Sequence, residues 1–349
     1  MRTLFFLFIA VGCQTYTPET AQHCEGAEST HLVTADGAEV ALHRHRAKGP
    51  PVVVIHGLAS NYRSWDLTKE RSIAEVLQQA GFDVWLLDLR GHGEALQLQS
   101  GERQRHGWSL DDYGAHDLHT AIKHIRTATE TDKVAVIGHS MGGMVAAAYH
   151  GHHGDDWISA LVVVGSPIQF TERDVVLNLG DLAMKVGALW RNFGMHTGAE
   201  LLGHIPGGVP VHGEGLLFNP KNLAPEIRTR MLKEIVSPVS REEMQQFIEI
   251  FRQGRFVSAD GTLDYVEQLS KLDVPFLAIA GSVDRIVPPS RVSPWVETVS
   301  STDKTYIEVG IQSGYTADYG HLDLVMGDAA ASEIHEPIAT WLQTRLMKP

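Results

Sequence analysis

The sequence predicts an α/β fold: a mostly parallel β-sheet with helices on both faces, interrupted by a mainly helical cap. Three observations carry this. Short apolar, mostly β-branched runs recur along the 349-residue chain and alternate with helical patterns, the arrangement that builds a parallel sheet covered on both sides. The run Val134-Ala135-Val136-Ile137 passes through Gly138-His139-Ser140-Met141-Gly142 into Met144–Tyr149, which reads as strand, tight turn and helix. Between about Ile168 and Ser270 the alternation stops and glycine-punctuated, mostly helical pieces take its place.

At the N-terminus, Met1-Arg2-Thr3 gives a positive start and Leu4–Val11 an apolar core, the layout of an export signal over residues 1–12. Ala10-Val11-Gly12-Cys13 resembles the lipobox of bacterial lipoproteins, which implies cleavage before Cys13, lipidation of that thiol and a membrane anchor. An ordinary secretory signal cut nearby is the alternative, so the expected destination is a bacterial envelope membrane, or else the periplasm or exterior. Residues 13–30 read as a polar tether. Cys13 and Cys24 are the only cysteines and both precede the folded part, so no disulfide framework supports the core.

The core is expected over residues 31–167 and 271–349, with the cap over 168–270. Ala38–His43 after Asp36-Gly37 reads as a hairpin strand, Val52–Ile55 as a buried strand, Ile73–Ala80 as a helix closed by Gly81, and Asp83–Leu87 as the next strand. Leu110 starts a helix whose Leu118, Ile122 and Ile125 share a face. Leu161–Val164, Val274–Ala280 and Thr305–Val309 complete the strands, and a C-terminal helix runs through Trp341. Within the cap, Met244, Phe247, Ile248 and Phe251 form an apolar stripe that must lie on something, either the core or an acyl chain.

Composition is ordinary for a globular chain, 43% hydrophobic and 20% charged. Lys+Arg 29 against Asp+Glu 42 gives a formal charge of −13, which argues against a nucleic-acid surface. His150, His152 and His153 show no recognised ligand spacing, and Gly151 and Gly154 read as a loop, so neither a metal nor a cofactor is expected.

The chemistry centres on Gly138-His139-Ser140-Met141-Gly142, the G-x-S-x-G nucleophile elbow, in which flanking glycines let strand, turn and helix pack closely. A serine hydroxyl attacks only when a base removes its proton and a third group orients that base. Asp284, in the turn after a buried strand, and His321, after the last strand, reach the same carboxyl edge of the sheet, where open α/β sheets place ligands. Glu172, Asp174 and Asp264 lie in the cap and are passed over for the acid. Backbone N–H groups of Met141 and of Leu58, in His56-Gly57-Leu58, are the expected oxyanion hole. Gly57 allows close approach, and His56 reads as structural.

From about residue 50 to 165 and again from 272 to 345, the chain resembles the α/β-hydrolase superfamily. The residues that carry the likeness are His56-Gly57-Leu58, Gly81–Leu86, Arg90-Gly91-His92-Gly93, Gly138–Gly143 and Tyr319-Gly320-His321. Within the superfamily it is most similar to acid-lipase-like enzymes and polyhydroxyalkanoate synthase relatives. Those synthases carry Cys where this chain has Ser140, and dehalogenases and epoxide hydrolases carry Asp. The resemblance therefore implies a serine esterase or lipase acting on a small-molecule or lipid ester, with an acyltransferase or thioesterase on the same three residues as the alternative. A non-catalytic surface binding protein on this fold would be expected to lack one of the three.

Overall fold

The computed structural model describes residues 27–98, 100, 107–170 and 214–347. The export signal, Cys13, Cys24, Glu172 and Asp174 lie outside these residues. Eight strands form one sheet in the order β1-β2-β4-β3-β5-β6-β7-β8. They are β1 (Glu28–Val33), β2 (Glu39–His45), β3 (Pro51–Ile55), β4 (Asp83–Asp88), β5 (Val134–His139), β6 (Ile158–Val164), β7 (Phe276–Gly281) and β8 (Lys304–Val309). β1 and β2 are antiparallel to their neighbours; from β4 onward every pairing is parallel.

The apolar runs are buried because each central strand feeds two cores. Val53, Ile55, Val134, Val136, Leu161 and Val163 face one cluster, whereas Val52, Val54, Ala135, Ile137, Ala160 and Val162 face the other. Period-two alternation makes this automatic for a strand with no polar face. On the first side lie Leu118, Ile122 and Ile125 of the segment Leu110–Thr129 and the helix Met141–His153. On the second lie Ile73, Ala74 and Leu77 of the helix Ile73–Gln79, and Ile338 and Leu342 of the C-terminal helix Glu336–Leu346. Burying each such Val, Leu or Ile contributes roughly 1.5–3 kcal/mol against the entropy of ordering the chain.

Three expectations need correction. β1 begins at Glu28, inside the stretch read as tether; its residues are exposed or half-buried at the sheet edge, so Glu28-Ser29-Thr30 carries no apolar signal. His150, His152 and His153 belong to the helix Met141–His153, which ends only at Gly154. Gly151 stands inside it because a Cβ there would meet the Tyr265 ring at 2.8 Å, so the glycine serves packing against the helix Tyr265–Leu269. The segment Leu110–Thr129 is not uniformly α-helical: Tyr113–Leu118 takes a π-helical turn, where Asp117 accepts bonds from Arg90 N and Nε at 2.9 and 2.7 Å.

Of the stretch expected to form a cap, the described residues 214–270 are mainly helical. Ser240 caps the helix Arg241–Gln253, its Oγ accepting from Glu243 N at 3.0 Å while Glu243 Oε2 accepts from Ser240 N at 3.2 Å. Met244, Phe247, Ile248 and Phe251 are buried in the first core, with Phe251 edge-on to Phe170 at 5.0 Å between ring centroids. The stripe lies on the core, which removes it as an acyl-chain wall.

Candidate active site

The elbow is held by close backbone approaches. Ser140 sits at φ 53° and ψ −118°, a conformation costing on the order of 1–3 kcal/mol that persists only when its surroundings enforce it. They do. A Cβ on Gly138 would lie 2.4 Å from Gly142 C, and one on Gly142 would lie 2.6 Å from Ile55 O. Ser140 N donates to Val164 O at 2.9 Å, tying the turn to β6. The hydroxyl is thereby fixed at the carboxyl edge, at the N-terminus of a 13-residue helix whose dipole favours negative charge there.

Asp284 follows β7 and is 3% exposed. Its Oδ1 accepts from Ile286 N and Val287 N at 2.9 and 2.8 Å, which turns Oδ2 toward His321 Nδ1, 2.7 Å away. His321, in the segment after β8, places Nε2 2.9 Å from Ser140 Oγ. An ionised carboxylate only accepts, so Nδ1 carries the proton and Nε2 presents its lone pair to the serine hydroxyl. The three side chains named from the sequence are thus brought together by the ends of β5, β7 and β8.

Leu58 and Met141 follow β3 and β5. Among the described residues, neither of their amides donates to another group of the protein. The loop bearing Leu58 lies against the elbow: a Cβ on Gly57 would stand 3.3 Å from Ser140 Cβ. His56 is fully buried, with Nε2 accepting from Leu89 N at 3.3 Å, so Nδ1 is protonated and donates to Gly57 O at 2.9 Å. Burial lowers its pKa, against the pull of Asp88. His139 donates from Nε2 to His321 O at 3.1 Å, and burial and the adjacent His321 hold its pKa well below the ordinary value. A neutral His139 thus braces the backbone of His321.

Two further anchors escaped the sequence reading. Asp88, at the end of β4, accepts from Tyr62 N and Glu94 N, both at 2.8 Å, and its Oδ2 lies 3.2 Å from His43 Nε2. It joins the loops after β3 and β4. Asp323, two residues after His321, accepts from Gly320 N at 3.0 Å, Asn219 N at 3.1 Å and Asn222 Nδ2 at 2.7 Å. Asp88 closes a strand and Asp323 follows a histidine; neither position announces two partners arriving from distant segments beside one nearby amide.

The three helical histidines point to separate partners: His150 Nε2 to Gln268 O, His152 Nε2 to Tyr265 OH and His153 Nε2 to Ala115 O, at 2.9, 3.2 and 2.8 Å. Among the described residues, Asp36, Asp112 and His116 form the one group close enough to share a cation. Asp36 already receives both Arg90 guanidinium nitrogens, at 2.5 and 2.9 Å, so its charge is matched without one.

A parallel sheet that carries its serine on a strand-to-helix elbow, with acid and histidine on later strand ends, defines an α/β-hydrolase. The model of the Hydrolase_4 family, described as serine aminopeptidase, S33, matches residues 47–309, and the chain belongs to that family, within the serine hydrolases of the α/β-hydrolase superfamily. It is 24% identical over 308 residues to a poly(3-hydroxyalkanoate) polymerase subunit PhaC of Haloferax mediterranei, an alignment covering 84% of this chain and 59% of that one. The chain therefore spans about three fifths of that relative's length. It is 22% identical to triacylglycerol lipase 1 of Arabidopsis thaliana, covering 90% of this chain and 86% of the lipase. Among solved structures, a thermophilic esterase from Thermogutta terrifontis superposes with a TM-score of 0.61 at 20% identity, covering 92% of this chain and 100% of the esterase. That last likeness is one of fold.

Proposed function

We propose that this protein hydrolyses carboxylic esters through an acyl-enzyme formed on Ser140. The observation that carries the reading is the unbroken line from Asp284 Oδ2 to His321 Nδ1 and from His321 Nε2 to Ser140 Oγ, at 2.7 and 2.9 Å. His321 takes the hydroxyl proton as Ser140 Oγ attacks the acyl carbon, and Asp284 stabilises the imidazolium that results. The Leu58 and Met141 amides receive the oxyanion. The tetrahedral intermediate collapses, His321 returns the proton to the departing alcohol, and water repeats the sequence to release the acid.

A hydrophobic ester is the proposed substrate class, supported by the lipase and esterase relatives and not by the cap stripe, which faces the core. The test is turnover of p-nitrophenyl esters of graded chain length, with an aminoacyl p-nitroanilide as the amide counterpart suggested by the family's description. Ser140→Ala is expected to lower kcat by on the order of 10⁶. A variant that keeps its activity overturns the reading.

The likeness to a polymerase subunit over 84% of this chain favours a second reading, acyl transfer on the same residues. Transfer to an added alcohol exceeding hydrolysis in the same vessel would select it; a thioester arm separates a thioesterase. We also propose that the protein is exported and anchored through a lipidated Cys13. Mass spectrometry of the N-terminal peptide tests this: an unmodified Cys13 in the mature protein removes the anchor.

A further inference from the structure

Asp323 lies in the core, two residues after His321, whereas Asn219 and Asn222 lie in the cap, in the segment leading to the helix Pro225–Glu234. The two segments are stitched together. Asn219 Nδ2 and Asn222 Nδ2 both donate to Asp318 O at 2.7 Å, and Leu322 N donates to Leu217 O at 2.9 Å. Asp323 Oδ1 accepts from Asn219 N, while Oδ2 accepts from Asn222 Nδ2 and from Gly320 N, the amide immediately before His321. Gly320 has no room for a side chain, since a Cβ there would stand 2.9 Å from both Asn219 N and Asp323 Oδ1. These residues thus reach the backbone on both sides of His321, Leu217 O directly at Leu322 N, and Asn219 and Asn222 through Asp323 and Asp318 O.

The other attachments of His321 fix less. Asp284 and Ser140 hold the ring and His139 holds the carbonyl; on the amide side the core contributes Val283 N, which donates to Tyr319 O at 3.0 Å, and Asp323, which accepts from Gly320 N. Asp323 is buried, 0% exposed, so an unmatched donor or acceptor created there finds no water to replace it.

We propose that Asn222 is a positioning residue for the reaction, acting through Asp323 and Gly320 to hold His321 in line with Ser140, so that the cap sets the rate of the chemical step and not only access to it. This rests on the triad reading above. The variant Asn222→Ala removes the two bonds to Asp318 O and Asp323 Oδ2 and leaves the Asn222 backbone bond to Asp328 N in place. Misplacement of a catalytic group by about 1 Å costs on the order of 10²-fold. Asn222→Ala is accordingly expected to lower kcat on the order of 10-fold to 10²-fold, with KM moving by less than about twofold.

Rates are taken per burst-titrated active site with a p-nitrophenyl ester, so that unfolded protein does not count. A double-mutant cycle with Asp323→Asn supplies the readout that a merely structural role would not move. The two residues share the bond from Asn222 Nδ2 to Asp323 Oδ2, so the loss of kcat in the double variant is expected to be smaller than the product of the two single losses. Effects on kcat that multiply, or an Asn222→Ala enzyme with wild-type kcat per site, overturn the proposal. Ser140→Ala measured alongside separates the two failures: if that variant is inactive while Asn222→Ala is unimpaired, the triad stands and only the positioning role falls.

Discussion

Glu243 is a carboxyl group buried at 0% exposure between the cap and the core, and its titration makes stability depend on pH in a direction opposite to that of most acidic residues. Burial raises its pKa from 4.5 to about 8, despite the opposing Ser240 N and the Tyr113 and Trp108 side chains. Unfolded, the group ionises near 4.5; folded, it keeps its proton up to about 8. Across that window the native state binds one more proton than the unfolded state, so stability falls as pH rises. The difference of 8 − 4.5 = 3.5 units, at about 1.4 kcal/mol per unit, bounds the loss at roughly 5 kcal/mol. Glu243→Gln keeps an oxygen for Ser240 N and cannot ionise. Urea denaturation of both proteins at several pH values between 4.5 and 8 is the assay. The two should converge at the acid end, and the variant should become the more stable by several kcal/mol, up to about 5, at the alkaline end. Asp117, raised to about 6 by burial against the attraction of Arg90, contributes a slope of the same sign but is common to both proteins and cancels. A stability difference that stays flat with pH refutes the reasoning.

Other consequences follow from the same geometry. Asp284→Asn presents an amide to His321 Nδ1 and favours the wrong tautomer, so kcat should drop by on the order of 10⁴ while the fold survives, as judged by circular dichroism. Gly142→Ala forces a Cβ to 2.6 Å from Ile55 O, a backbone atom; melting temperature should fall by the equivalent of about 1–3 kcal/mol or more, with esterase activity lost in parallel. Phe251→Ala empties a site in the first core and should cost about 3–5 kcal/mol in chemical denaturation. At the acid end, burial lowers His335 from 6.5 to about 4, so the stability it contributes is present above 6.5 and lost as pH falls toward 4. His335→Gln should flatten that limb in denaturation measured at successive pH values.

What the sequence made legible was whatever follows from local pattern. Val52–Ile55 and Val134–Ile137 have no polar face and can only be strands between two cores, and Gly138, Ser140 and Gly142 fit one kind of turn. Chain order then sends Asp284 and His321 to the same sheet edge, where their side chains meet Ser140. The edge strand β1 was not legible because a strand with one neighbour and a solvated face needs no apolar run. Gly151 misled because a glycine required for packing against Tyr265 looks the same in sequence as one that ends a helix. Asp323 and Asn222 are separated by 101 residues and their pairing exists only once the cap has returned to the core.

The double-sided sheet also decides where the chain tolerates a change of length. One residue inserted into β5 would send Val136 and Ile137 to each other's core, exchanging the two faces beyond that point and dragging Ser140 out of register with β6. The same insertion at Gly261, an open turn in the cap with nothing near its Cβ position, shifts no strand. Grafts, tags and loop libraries belong at such turns, while the strands hold the spacing that keeps Ser140 in place.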